Sequence, residues 1–233
     1  MGSGAASQVR GIRMGSAVLR LTIASGLLLS ADAAFAKKEK GPLDEMVEKW
    51  KAAHERKKDS PPGPIVVSAD DCQKFAKDMV KAGEKDKGRE ADGIFNAGAV
   101  YEECGMEKDA ESMYKQALSK NPKLAPAMNN LGVMMQRQGR AQEAMLQFEN
   151  AIKADPKSPL AVSAYNNRGA LLYDRARQAN NKAGFDEAVG QLRRALALDA
   201  ESMPAYQILA SIYYTTAEAD RSKLRLAQLV CDE

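Results

Sequence analysis

The stretch AMNNLGVMMQRQGRAQEAMLQFENAIKADP, Ala127–Pro156, decides the fold. Leu131, Met135, Phe148, Ala151 and Ile152 recur at helical spacing, which predicts two amphipathic helices separated by a turn. Gly132 removes a side chain where the first helix meets the second, and Ala144 is expected to face that space from the second. Such small residues let helix axes approach to about 8–10 Å. Gly139 supplies the permissive backbone that the turn needs. Pro156 stops the second helix.

The same pattern stands 34 residues upstream. Ala91–Leu124 and Ala125–Ser158 match in register at Gly98/Gly132, Tyr101/Met135, Gly105/Gly139, Ala110/Ala144, Tyr114/Phe148, Ala117/Ala151 and Pro122/Pro156. A third unit, 162–202, carries Gly169, Leu172, Ala188, Leu192 and Ala195 at the equivalent places. Pro159–Ala161 are inserted before it, and about seven more residues are expected between its helices, around RARQANNKAG. Arg168 takes the place of a leucine; its stem can pack while the guanidinium reaches water. A fourth unit, 203–233, holds Tyr206, Leu209, Ala210 and Tyr213, and its second helix is expected to break off at Glu233.

A helix-turn-helix unit with this period and these residues resembles the tetratricopeptide repeat. The resemblance covers about 140 residues. It implies an all-α fold: an α-solenoid of about four units, the last incomplete, preceded by one or two extra helices.

Upstream of the repeats, Arg10, Arg13 and Arg20 precede the apolar run LTIASGLLL, Leu21–Leu29, followed by Ala34-Phe35-Ala36. This is the pattern of a cleaved secretory signal, residues 1–36. The run is too short to span a bilayer. Met14 is an alternative start. Cleavage leaves a net charge of +1 rather than +3, too little to attract nucleic acid or anionic lipid. Residues 37–67 hold an amphipathic helix with Leu43, Met46, Val47, Trp50 and Ala53 on one face, then the linker KKDSPPGP. Residues 68–90 form a leading helix, with Ser68 as N-cap and Gly83 as a candidate stop.

Catalytic and metal-binding signatures are sparse. His54 is the only histidine, so a histidine metal site or hydrolase triad has no second member. There is no Walker loop, GxGxxG or CxxC. The expectation is a non-enzyme with no cofactor and no metal. Cys72 and Cys104 lie about 14.5 and 17.5 residues on either side of a turn near residues 86 and 87. In antiparallel helices that is a mismatch of ~4.5 Å. Two readings stay open: a disulfide stapling the leading helix to the array, or two separate buried thiols. Cys231 is expected as a packed thiol in the last helix.

Stacked units curve, and their first helices line the concave side. The resemblance therefore implies a partner-binding groove built from Phe95, Asn96, Asn129, Asn130, Gln136, Asn166, Asn167, Tyr173, Gln207 and Tyr214. Asn96, Asn130 and Asn167 share the sixth offset, where some tetratricopeptide proteins hold an extended peptide through an asparagine ladder. An amide suits that role because it both donates and accepts; local structural use of the same asparagines is the competing reading. The family's basic clamp for C-terminal carboxylates is absent, since Phe95, Ser163 and Asn167 occupy its places. The stretch FNAGAVYEECGM, Phe95–Met106, is similar to the periplasmic repeat component of the adventurous gliding-motility machinery, whose members are typically lipoproteins; this chain has no lipid-receiving cysteine after its apolar run. The expected function is a periplasmic scaffold binding a protein or peptide partner, within an envelope or motility complex. The alternatives are an accessory protein presenting a polypeptide or glycan to an envelope enzyme, and a self-associating structural subunit.

Overall fold

The computed structural model describes residues 40–54 and 68–217. The signal pattern, the Pro61-Pro62 linker, the second helix of the fourth unit and Cys231 lie outside the described residues. Within them the fold is all-α. Its helices are α1 (Pro42–His54), α2 (Ala69–Lys85), α3 (Glu90–Glu103), α4 (Glu107–Lys120), α5 (Ala125–Arg137), α6 (Ala141–Ala154), α7 (Ala161–Ala179), α8 (Lys182–Leu198) and α9 (Met203–Ala217). Consecutive helices pack on one another from α1 to α9. The first helices of the repeats are α3, α5, α7 and α9.

The turns repeat as closely as the helices do. Gly105 and Gly139 adopt φ of 73° and 77°. After each, the next amide reaches back to the carbonyl five residues earlier: Met106 N donates to Tyr101 O and Arg140 N to Met135 O, both at 2.8 Å. These are Schellman caps, which favour glycine at the left-handed position. Asn180, φ 46°, does the same for α7, with Asn181 N donating to Ala176 O at 2.9 Å. Asparagine is the non-glycine residue that best tolerates this conformation.

The extra residues of the third unit do not form the expected loop. They lengthen both helices, so α7 has 19 residues and α8 has 17, against 13 or 14 in the two preceding units. RARQA continues α7 because it has good helix formers and no breaker; the turn itself is only Asn180-Asn181.

Each of the first three units closes on a glycine, though not against the alanine expected. A Cβ on Gly132 would lie 2.6 Å from Phe148 Cε1; on Gly98, 2.7 Å from Tyr114 Cδ1; on Gly169, 2.9 Å from Leu192 Cδ2. The glycine is therefore the floor on which the large side chain of the second helix lies. Ala144 is fully buried in the same cluster as Phe148, Met135 and Leu171, beside that contact.

Gly83 is likewise no helix stop. α2 runs on to Lys85, and a Cβ on Gly83 would sit 2.7 Å from the Cα of Gly93. The pair brings the backbones of α2 and α3 into direct contact. At the start of α2, Ser68 Oγ accepts from Asp71 N at 3.1 Å, with Asp70 and Asp71 in the first turn, the expected N-cap. The Cys72 and Cys104 sulfurs are bonded, with Cα atoms 6.5 Å apart. Together, bond and glycine pair hold α2 to α3 at both ends.

α1 docks on this unit. Leu43, Val47 and Trp50 are buried in one cluster with Cys72, Ala76, Met79, Ala99 and Val100. The Trp50 ring meets Phe75 edge-on at 5.0 Å, and its Nε1 donates to Glu103 Oε2 at 2.6 Å. At the other end Arg89 Nη1 pairs with Asp44 at 2.8 Å. With Trp50 near the start of α2 and the end of α3, and Asp44 near the α2–α3 turn, α1 runs parallel to α3.

Candidate functional site

The first helices of the repeats carry two adjoining stripes of positions that are open in the later units. One holds the second, sixth, ninth and thirteenth positions of each unit. In the second unit these are Pro126, Asn130, Val133 and Arg137, all half-exposed. In the third, Ser163, Ala170 and Asp174 are half-exposed around buried Asn167; in the fourth, Ser211 is half-exposed and Thr215 exposed. The other stripe holds the fifth and twelfth positions: Asn129 and Gln136, Asn166 and Tyr173, Gln207 and Tyr214. Gln207 and Tyr214 are exposed, Tyr214 to 58%.

The first unit differs. Phe95 is 0% exposed; it packs on Tyr114 with ring centroids 5.5 Å apart and lies among Leu124, Ala127 and Leu131. It is a core residue between the first two units, not a groove residue, because α5 closes over it. Asn96 is also 0% exposed, and Ala99 lies in the cluster with α1. The groove open to solvent therefore starts at the second unit.

The asparagines form a polar seam that crosses the units. Asn167 Nδ2 donates to Asn129 Oδ1 at 2.9 Å. Asn129 Nδ2 donates to Asn130 Oδ1 at 3.4 Å, and Asn130 Nδ2 to the Tyr114 hydroxyl at 3.0 Å. That hydroxyl donates in turn to Glu102 Oε2 at 2.7 Å. Glu102 also pairs with Arg137 at 3.0 Å. Burial pushes the Tyr114 phenol well above its ordinary pKa, and the negative charge and hydrogen bond of Glu102 add to the shift. Further along, Asn166 Nδ2 donates to Ser202 Oγ at 2.9 Å, and the Tyr173 and Thr215 hydroxyls meet at 2.9 Å. Asn166 is 4% exposed and its Oδ1 has no hydrogen-bond partner among the described residues. Burial also raises the Asp174 carboxyl, against the opposing charge of Arg177.

Sequence reasoning missed Arg137 and the hydroxyls of Tyr114, Ser202 and Thr215 as members of this seam. Tyr114 was read for its ring alone. The hydroxyl that distinguishes it from Phe148, at the same offset, was the available signal. Among the described residues no group of His, Cys, Asp and Glu is arranged to hold a metal ion, and no helix is long and apolar enough to cross a membrane.

Residues 113–145, from α4 into α6, match the tetratricopeptide repeat family model. The fold is similar to that of PilF from Pseudomonas aeruginosa, with TM-score 0.58 and 19% identity over 81% of this chain and 72% of that one. It is also similar to YrrB, described as a TPR protein with an unusual peptide-binding site, with TM-score 0.51 and 20% identity over 70% and 78%. The array has the fold of a tetratricopeptide-like α-solenoid. No curated protein matches the chain by sequence.

The matched segment holds the boundary between the first two units, where Asn130 donates to the Tyr114 hydroxyl. The third unit departs by helix length, and the leading pair α1/α2 departs by its long connection. The third unit still sets a small residue, Gly169, beneath a large one, Leu192, whereas the α2–α3 crossing sets Gly83 against Gly93.

Proposed function

We propose that this chain is an exported, non-catalytic scaffold that binds a partner polypeptide along the concave face of its second to fourth repeats. The observation that carries the reading is the open stripe from Asn130 and Gln136 through Tyr173 to Gln207 and Tyr214, polar and aromatic, on a rigid frame. Exposed tyrosine offers a flat apolar face with a hydrogen-bonding edge, which suits a protein partner. The amides in the seam are mostly committed to neighbouring units, so they fix the curvature of the groove while the outer tyrosines and glutamines are left for the partner. The periplasm as the site of action is supported by the signal pattern before Lys37 and by the bonded Cys72–Cys104 pair, since disulfides persist in oxidising compartments. An envelope assembly, with the motility machinery that Phe95–Met106 resembles as one such class, is the corresponding setting.

The test is site-specific photocrosslinking in intact cells. A crosslinker at position 207 or 214 should capture one defined protein, and one at the solvated Glu149–Lys153 pair on α6 should not. Tyr214→Ala should reduce that capture at least fivefold. Equal capture from both faces would sink the groove reading.

A further inference from the structure

The closed first unit shows what fits this groove. The geometry points to α1 as a displaceable internal ligand: its seat is a docking site for an amphipathic helix of a partner, which α1 occupies until it is displaced. The inference deepens the groove reading above and rests on it. It assigns the ligand class at the first-repeat end as a helix.

α1 lies over the stripe that is open elsewhere. In the first unit the second, sixth, ninth and thirteenth positions are Asp92, Asn96, Ala99 and Glu103. Arg89 bridges Asp44 of α1 to Asp92, at 2.8 and 3.3 Å. Ala99 shares an apolar cluster with Leu43, Val47 and Trp50, and Glu103 accepts from Trp50. The equivalent residues Asn130, Val133 and Arg137 are half-exposed.

Two links between α2 and α3 persist when this helix leaves. They are the Cys72–Cys104 bond and the Gly83–Gly93 backbone contact. When α1 leaves, Arg89 keeps Asp86 at 3.1 Å and Asp92 at 3.3 Å, so no buried cation is stranded, which would be the costly outcome. Glu103 is exposed and can be solvated. Thirteen residues separate His54 from Ser68, with prolines at 61, 62 and 64, whereas among the described residues every later pair of consecutive helices is joined by at most six residues. α1 is thus tethered by a connection long enough to let it leave.

The recognition chemistry follows from the seat. A competing helix needs apolar side chains spaced as 43, 47 and 50, a carboxylate at its N-terminal end for Arg89, and a hydrogen-bond donor at its C-terminal end for Glu103.

Two measurements on the full chain test this. The first uses a fluorescent peptide of residues 40–54 as the probe. In the parent chain the tethered copy competes at an effective concentration on the order of millimolar. The Leu43→Glu/Val47→Glu chain, which cannot seat its own helix, should therefore bind the peptide at least tenfold more tightly. Equal binding to both chains, with the variant's array melting unchanged, would overturn the proposal. The second needs no variant: amide hydrogen exchange in α1 should be at least tenfold faster than in α3 and α5. Equal protection would mean that α1 opens only when the array unfolds, and the proposal fails. Neither result touches crosslinking at positions 207 and 214, so a failure of this inference is distinguishable from a failure of the groove reading.

Discussion

Gly132→Ala places a methyl 2.6 Å from Cε1, 2.8 Å from Cδ1 and 3.1 Å from Cζ of Phe148. Carbon atoms at ordinary contact are about 3.5–4.0 Å apart, so the ring must retreat by roughly 1 Å. It has nowhere easy to go, because Phe148 is fully buried among Met135, Ala144 and Leu171. Overpacking of this kind costs about 1–3 kcal/mol. Replacing a mid-helix glycine by alanine returns about 1 kcal/mol of helix propensity. The net expectation is destabilisation of about 0–2 kcal/mol, rising to about 3 kcal/mol for Gly132→Val, which adds more bulk at the same contact. Gly190, in the middle of α8, is the internal control, because a Cβ there meets nothing within 4 Å. Gly190→Ala should stabilise by about 0.8–1 kcal/mol. The assay is urea unfolding followed by far-ultraviolet circular dichroism, compared at constant slope, since repeat arrays can lose cooperativity. Adding Phe148→Leu to Gly132→Ala should recover part of the overpacking term, a coupling that only touching residues show. If Gly132→Ala raises the midpoint as much as Gly190→Ala does, the close-packed crossing is wrong.

Three further outcomes follow from the same structure. Replacing Cys72 and Cys104 together by alanine opens a loop spanning 32 residues and should cost about 3.7 kcal/mol by chain entropy, with faster hydrogen exchange confined to α1–α3; a loss below about 1 kcal/mol would refute that account. Glu102→Gln removes the charge that joins Arg137 to the Tyr114 hydroxyl and should destabilise by about 1–3 kcal/mol; an unchanged urea midpoint would remove the seam from the stability of the array. Tyr114 should stay protonated above its ordinary pKa of 10.0, as read by ultraviolet absorbance of the phenolate. Because its folded pKa lies above the ordinary 10.0, its contribution to stability is intact below pH 10 and is lost as pH climbs from there; Tyr114→Phe should flatten that slope, and an equal slope in both chains would contradict it.

The α-solenoid was legible because its cause is local and periodic. Glycine at one offset and a large side chain at another recur in register, and the two meet where the helices of the first three units cross. The cap residues were equally plain: Ser68, Gly105 and Gly139 act through their own backbone or the next turn. Errors arose where a residue's role depends on what a distant helix places over it. Gly83 looked like a stop because glycine ends helices; only the approach of Gly93 turns it into a contact. The offset of Phe95 points to the groove, and its burial comes from α5 and Tyr114. The third unit's insertion was placed in a loop because its helix formers were outweighed by the expected turn position.

The sequence by itself determined the helical repeat and the register in which small and large residues recur, because those follow from spacing along one or two helices. Tertiary structure decided which groove positions are open, how Asn129, Asn130 and Asn167 link with Tyr114 and Glu102 into one seam, and that α1 covers the first unit. Those outcomes depend on curvature summed over several repeats and on a helix joined by thirteen intervening residues, and no local pattern encodes where such a helix comes to rest.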